Sequence, residues 1–299
     1  MLKHKTFLFQ IIILQVLILF IGITSCKSTP LAVEVDPLDI LDSESAFYIA
    51  IPSNVDPDLI PRIIQNNVNG ISEANARLLA GKINKVYCGL NHTKNKTSIQ
   101  ASFDAAIPQK YVSKVLNKNN GFSKRLFTAQ KSANEYTVYA NKNLELTFPS
   151  AKVLALGRDI DNVLQSYDNI FTSAEPDYSY LQYSNLNPQL YEFLHEAQDE
   201  IRFFANKPQS FLTILTGANL NLKLSSVKGT FVSDPKVENQ YLVDLTFNFQ
   251  NEKFLKAGKT LLSLAFGLTD SQTYTDNNNV LIIKGIKINK DSLYRLIKI

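Results

Sequence analysis

Apolar side chains recur at every second position in several stretches of the chain, which predicts β-strands with one buried face. The segment 240–250 shows this most clearly, because five large apolar residues alternate there with polar ones. The same alternation, or a short apolar run, predicts further strands at 45–52, 86–90, 98–106, 136–140, 144–148, 153–156, 220–232, 273–275 and 280–288. Short polar turns join neighbouring strands, so we expect antiparallel pairing.

Apolar residues that recur every three to four positions predict helices between these strands. Asp56-Pro57 and Ser72 are residue types that begin helices. Further helical patterns begin near Pro108, Asp159, Glu252 and Asn289, and another runs from about Pro188 to Gly217. Together the elements predict an α+β fold in which antiparallel sheets carry helices packed on one face.

The order of elements indicates an internal duplication. Each half reads β-β-α-β-β-α, the first over residues 43–175 and the second over residues 220–299, and a helical insert at 176–219 separates them. Residues 26–42 hold two prolines and no helical period. We therefore expect these residues to form a tether that holds the fold away from a membrane.

The first 25 residues predict a secretory signal peptide. A basic head at residues 3–5 precedes the almost wholly apolar run 7–23, and Ile23-Thr24-Ser25-Cys26 follows. This segment resembles a bacterial lipoprotein signal with a lipobox. The resemblance implies cleavage before Cys26, attachment of a diacylglyceryl group to its thiol, and usually acylation of the new amino terminus. An ordinary cleaved signal and an uncleaved anchor are the alternatives.

Composition narrows the function. A formal net charge of +4 gives no basic footprint for nucleic acid. Two cysteines exclude a disulfide framework, and three histidines leave little for a metal site. Once Cys26 is acylated, Cys88 is the remaining thiol, and its strand-like setting predicts a small buried hydrophobe. We expect no cofactor and no metal.

Two motifs resemble catalytic ones without completing them. Gly258-Lys259-Thr260 lies inside a helical pattern, where the backbone amides are already bonded and cannot hold a phosphate. His195-Glu196 begins like a zinc-protease helix, but Asp199 stands where the second histidine belongs. We interpret the polar stripe around His195 as a solvated helix face, and expect no catalytic residues and no enzyme activity.

The helix predicted at 252–267 is strongly amphipathic, with lysines on one side and large apolar residues on the other. Such a helix either packs on its own sheet or lies at a lipid interface beside anionic head groups. Its candidates for membrane contact are Phe254, Leu255, Leu261, Leu262, Phe266, Lys253, Lys256 and Lys259.

The lipobox, the asparagine- and lysine-rich composition and the amphipathic helices resemble treponemal-type spirochaetal outer-membrane-associated lipoproteins. The resemblance implies a non-enzymatic protein anchored in the outer membrane, on its periplasmic face, which senses or perturbs the bilayer or supports envelope assembly. The inner membrane and the cell surface are the alternative locations. The alternative function is a periplasmic binding module that holds a lipid or small apolar ligand between sheet and helices. Membrane lipid is the expected partner, with envelope proteins or an apolar ligand as further ones.

Replacing Cys26 with alanine removes the acceptor for the acyl chains, so the variant should leave the membrane fraction. Each buried methylene group contributes ~0.8 kcal/mol to membrane binding, so two or three chains hold a protein almost irreversibly. Fractionation of cells that express the C26A variant measures the effect, with the native chain as control. An unchanged distribution would contradict acylation at Cys26.

Overall fold

The computed structural model describes residues 33–67, 71–93, 96–108, 112–113, 115–142, 144–174, 184–209, 211–212, 222–266, 273–276 and 279–297. Twelve strands in this part of the chain form one continuous sheet in the order β11-β12-β10-β9-β8-β1-β2-β3-β7-β6-β5-β4. The strands are β1 Phe47–Pro52, β2 Ile83–Thr93, β3 Lys96–Ala105, β4 Ser123–Thr128, β5 Glu135–Ala140, β6 Glu145–Thr147, β7 Val153–Gly157, β8 Ile201–Ala205, β9 Leu224–Ser233, β10 Gln240–Phe249, β11 Thr273–Asp276 and β12 Val280–Asn289.

The strand β1 lies in the middle of this sheet and joins its two parts. It pairs antiparallel with β2 on one side and with β8 on the other, so that Ile49 faces both Cys88 and Phe203. All six residues of β1 are buried. A central strand with apolar side chains on both faces needs a covering layer on each side of the sheet.

Helices supply both layers. Six α-helices lie in the described residues: α1 Leu59–Asn67, α2 Glu73–Ala80, α3 Asp161–Ser173, α4 Pro188–His195, α5 Glu252–Phe266 and α6 Lys290–Ile297. The main core holds residues from α1, α2, α5 and α6 together with one face of the sheet. Residues of α3 and α4 pack in separate clusters against the opposite face.

The α+β class and the antiparallel sheet are therefore confirmed, but the prediction that helices pack on one face is wrong. The outward-facing residues of the central strands explain why. Tyr48 and Ala50 of β1 pack with α4, and Val153 and Ala155 of β7 pack with α3. A single helical layer would have left these side chains in water.

The region predicted as a helical insert contains a strand. Pro188–His195 is helical as expected, but Ile201–Ala205 is β8, which pairs with both β1 and β9. Its burial alternates, with Ile201, Phe203 and Ala205 fully inside. Five residues are too few to separate a period of two from a period of three to four, and the two neighbouring strands decide the conformation.

The predicted β-β-α-β-β-α halves are not confirmed. Of the strands in the described residues, the first seven, β1 to β7, lie before residue 201, and the remaining five, β8 to β12, begin at or after it, so the two parts of the chain do not hold equal numbers of strands. Strand β4 escaped prediction because its residues are mostly exposed and show no apolar alternation. The boundaries proposed for the halves stay a prediction. The helix expected at Pro108 and the strand start at 220 fall partly outside the described residues.

Helix starts follow the sequence signals in part. Ser72 caps α2, since its side chain accepts a hydrogen bond from the Asn75 backbone N–H. Asn289 precedes α6 and accepts from the Asp291 N–H at 2.8 Å. Asp159 is not the cap of α3, because Ile160 occupies that position without a side-chain bond. Asp159 instead accepts from the Asp161 N–H within the preceding turn.

Residues 33–41, called here the N-terminal segment, pack on the sheet instead of belonging to the predicted tether. Val35, Leu38, Ile40 and Leu41 are almost wholly buried against the face that carries α3 and α4. Burying four such side chains contributes roughly 6–12 kcal/mol. Ordering nine residues costs about 9–18 kcal/mol of backbone entropy. The two terms are of similar size, so polar contacts decide how firmly the segment is held.

Candidate functional site

The main core contains a partly open apolar cavity of about 140 Å³ between the sheet and its helices. Strands β1, β2, β3, β6 and β7 form its floor, and α1, α2 and the segments around residues 107–116 and 144–148 supply the rest of the lining. The described side chains that line it are all apolar: Ile51, Ile60, Ile63, Ile64, Leu79, Ile83, Val86, Cys88, Leu90, Ile99, Ala101, Phe103, Ile107, Val112, Val115, Leu116, Leu144, Leu146, Phe148, Leu154 and Leu156.

The strand alternation seen in the sequence builds this floor. In β2, the side chains of Val86, Cys88 and Leu90 point into the cavity, and Ala101 and Phe103 do so in the neighbouring β3. Two small residues lie side by side in the floor: Cys88 and Ala101 are direct cross-strand partners. Their low volume leaves space that larger side chains would fill.

Walls of this kind offer water no hydrogen-bond partners, and a buried water molecule needs two to four of them. Dry apolar cavities of ~150 Å³ bind molecules such as benzene or xenon. The chemistry of the site is therefore the burial of apolar surface, with no charge or hydrogen bond to give direction.

Among the described residues of the wall, Cys88 is the one with a reactive side chain. Burial raises the pKa of its thiol to about 12, because the thiolate would have to leave water. The thiol is therefore protonated at neutral pH and behaves as an apolar wall atom. The prediction that Cys88 is a small buried hydrophobe is confirmed.

Polar contacts fix α1 over the cavity from its outer side. The Arg62 guanidinium pairs with Asp291 of α6 and lies 4.0 Å from the centre of the Tyr294 ring. This pairing raises the pKa of Arg62. Just before α1, the buried Asp56 accepts a hydrogen bond from the Tyr241 hydroxyl. The Arg62 contacts join α1 to α6, and the Asp56 contact joins the start of α1 to β10.

Asp56 also contacts Lys290 of α6. Lys290 places its Nζ 3.4 Å from the same carboxylate. Burial is the main reason that the pKa of the Tyr241 hydroxyl lies above its usual range, followed by its bond to Asp56.

The predicted membrane-contact helix divides between core and solvent. Leu255 and Leu262 of α5 are buried in the main core, and Phe254 packs partly buried against it. Leu261 is 44% exposed, and Lys253 and Lys256 are exposed, whereas Lys259 is half-buried. The side chain of Phe266 lies outside the described residues.

Two further residues of α5, Leu264 and Gly258, show how this helix divides between solvent and core. Leu264 is 77% exposed, which makes it the most exposed large apolar side chain among the described residues. Gly258 lies directly over the Phe249 ring, and a β-carbon there would collide with that ring. The Gly-Lys-Thr sequence lies inside a helix, as predicted, and its Gly258 allows the helix to pack closely on the sheet.

His195 does not simply lie on a solvated helix face, as its sequence pattern predicts, because it pairs with a distant carboxylate. His195 is the last residue of α4, and its Nε2 lies 3.1 Å from Asp36 Oδ2 in the N-terminal segment. The partners are 159 positions apart, so no local pattern could have indicated the contact.

One acidic cluster has the composition of a metal site. Carboxylate oxygens of Glu145, Asp159 and Asp161 lie within 4.8 Å of one another. Arg125 donates to both oxygens of Glu145 at 3.0 and 2.8 Å and to Asp161 at 2.6 Å. The guanidinium supplies the positive charge that such a cluster requires.

The described residues thus define an α+β protein built on one antiparallel sheet, with an apolar cavity beneath its helices. None of their helices has the length and hydropathy to cross a membrane. A family model described as outer membrane-associated lipoprotein TP0453 matches residues 32–294, and the chain belongs to this family. The family description confirms the predicted class of envelope lipoprotein and its association with the outer membrane.

Solved structures agree on the fold. Crystal form I of TP0453 aligns with a TM-score of 0.65, and crystal form III with a TM-score of 0.63. Each alignment covers 89% of this chain and 98% of that chain at 18% sequence identity. A comparison with curated proteins found no match.

The raised pKa of Cys88 predicts slow alkylation. Thiolate is the reactive form, and a pKa of about 12 in place of 9.0 lowers its population near pH 8 by about three orders of magnitude. In a Cys26→Ser variant, which leaves Cys88 as the only cysteine, N-ethylmaleimide should react far more slowly with the folded chain than with the chain in urea. Equal rates in both conditions would show that the thiol is not enclosed.

Proposed function

We propose that this protein is a non-enzymatic outer-membrane lipoprotein that binds a lipid chain or another apolar molecule in the cavity beneath α1 and α2. The observation that supports this best is the cavity wall, in which every described side chain is apolar. Ligand sites are concave and lined mostly by apolar side chains. Acylation of Cys26 would hold this binding domain on the membrane that supplies its ligand.

The packing of α5 favours binding over bilayer perturbation as the main function. If α5 served chiefly to enter lipid, its large apolar side chains would remain free of the core. Leu255 and Leu262 are buried in the core instead, and Gly258 brings the helix close to the sheet. Most of the apolar face therefore stabilises the fold.

The volume of the cavity limits what it holds in this conformation. About 140 Å³ accommodates an aromatic ring or a short length of acyl chain. Because the cavity is partly open, a longer chain would extend out of it or displace α1 or α2. Arg62 pairs with Asp291 of α6, and Asp56 contacts both Lys290 of α6 and Tyr241 of β10. A movement of α1 would have to break these contacts.

A second function, contact with the bilayer surface, is supported by a separate observation. Leu261 and Leu264 of α5 are exposed on the same helix as the exposed Lys253 and Lys256. Exposed leucines beside lysines suit an interface with anionic head groups. Such contact could bring the cavity close to its lipid source.

Filling part of the cavity should weaken binding. In an Ala101→Leu variant the added carbon atoms occupy the space of two or three methylene groups of a ligand, each worth ~0.8 kcal/mol, so affinity should fall about tenfold or more. Titration with cis-parinaric acid, a fluorescent fatty acid, measures the change.

The matched control is Ala155→Leu. Ala155 is fully buried in β7 but lies on the opposite face of the sheet, among residues that pack with α3. This variant should lose stability through overpacking, by about 1–3 kcal/mol, and keep its affinity for the probe. Unchanged affinity in A101L, or equal losses in both variants, would refute the cavity as the binding site.

Bilayer contact through α5 gives a different expectation. Leu264→Glu should weaken binding of the non-acylated chain to vesicles that contain phosphatidylglycerol, and its melting temperature should stay unchanged because the side chain is 77% exposed. Leu262→Glu, which places a charge at a position with 0% exposure, should unfold the protein. Vesicle flotation with full retention of L264E would exclude this surface.

A further inference from the structure

The N-terminal segment connects the proposed acyl anchor to the central strand. One ionisable pair, Asp36 with His195, joins this segment to α4. The Asp36 carboxylate uses both oxygens. Oδ1 accepts a hydrogen bond from the Leu38 N–H at 2.7 Å, and Oδ2 lies 3.1 Å from His195 Nε2. The Asp36 side chain is only 12% exposed. A carboxylate so placed strongly favours a protonated imidazole as its partner.

The position of His195 reinforces this preference. It is the last residue of α4, where the partial negative charge of the helix end favours a cation. Its ring is stacked on that of Tyr191, with the ring centres 5.5 Å apart. The ring is thereby held in the orientation that faces Asp36.

Several other charges surround the pair. A polar cleft of about 190 Å³ adjoins it, and its charged lining residues are Glu34, Asp36, Lys85, Asp104, Lys152 and His195. Lys85 donates to the backbone carbonyl of His195 at 2.9 Å. Lys152 pairs with Glu34 of the same N-terminal segment. Water in this open cleft gives protons access to the imidazole.

These surroundings set the direction of the titration. The bond to Asp36 raises the pKa of His195 most, burial opposes it, and the remaining charges have smaller effects, Lys85 lowering and Asp39 raising it. Because the pKa is higher with the segment docked than in the unfolded chain, the pair contributes its full stabilisation below pH ~6.5. That contribution is lost as the pH rises through the raised pKa.

We propose that residues 33–41 form a pH-sensitive attachment, in which the protonated His195–Asp36 pair holds the segment against the sheet and deprotonation weakens it. One consequence rests on the proposed acylation of Cys26. With the segment docked, six residues at most separate anchor and fold, about 20–22 Å when extended. Released, fifteen residues span about 50–54 Å. Acid conditions would then hold the domain closer to the membrane.

Amide hydrogen exchange in the full chain, purified in detergent, tests the attachment directly. After correction for intrinsic exchange rates, protection of residues 33–41 should be about two- to fivefold greater at pH 6 than at pH 8, the size expected of a partly exposed ion pair. His195→Gln should remove this ratio. Asp36→Asn should also remove it while keeping the hydrogen bond to the Leu38 N–H, since asparagine caps equally well.

Glu34→Gln is the matched control, because it breaks the neighbouring ion pair with Lys152 and leaves His195 and Asp36 in place. It should keep the pH dependence. Protection that does not change with pH in the native chain, or a ratio that persists in both H195Q and D36N, would overturn the proposal. The measurement involves neither the acyl chain nor the cavity, so its outcome is independent of the proposed function.

Discussion

The burial of β1 on both faces is the constraint from which the rest of this architecture follows. β1 bonds to β2 and β8, and so converts two sets of strands into one sheet. Phe47 and Ile49 require a helical layer on one side, and Tyr48 and Ala50 require another. The two layers have separate tasks: one covers the cavity, and the other receives the N-terminal segment.

The cavity arises from a mismatch between a wide sheet and short helices. Helices α1 and α2, of nine and eight residues, cover a floor made by five strands. Small side chains at Cys88 and Ala101 leave the floor incompletely filled. Interiors normally pack without such space, and an unfilled cavity costs stability in proportion to its volume. A ligand that fills the space would recover that cost, which is the physical basis of the proposed function in a member of this lipoprotein family.

Local patterns in the sequence predicted what depends on neighbouring residues. Alternation located β3 and β10, and side-chain chemistry located the cap at Ser72. Local sequence patterns do not predict contacts between distant positions. β8 is a strand because β1 and β9 lie on either side of it, and His195 is paired because Asp36 comes to it from 159 positions away. The described residues of the cavity wall have the sequence pattern of ordinary core residues. Periodicity shows which side chains point inward, but it does not show how completely they fill the interior.

The central claim is that the space beneath α1 and α2 is a dry cavity able to receive an apolar molecule. Crystals of the protein exposed to xenon under pressure test it most directly, because xenon enters apolar cavities of this size without any specific contact. We predict a xenon atom bound between α1 and the floor at Cys88 and Ala101. Ordered water at that place, or side chains that close the space, would contradict the account.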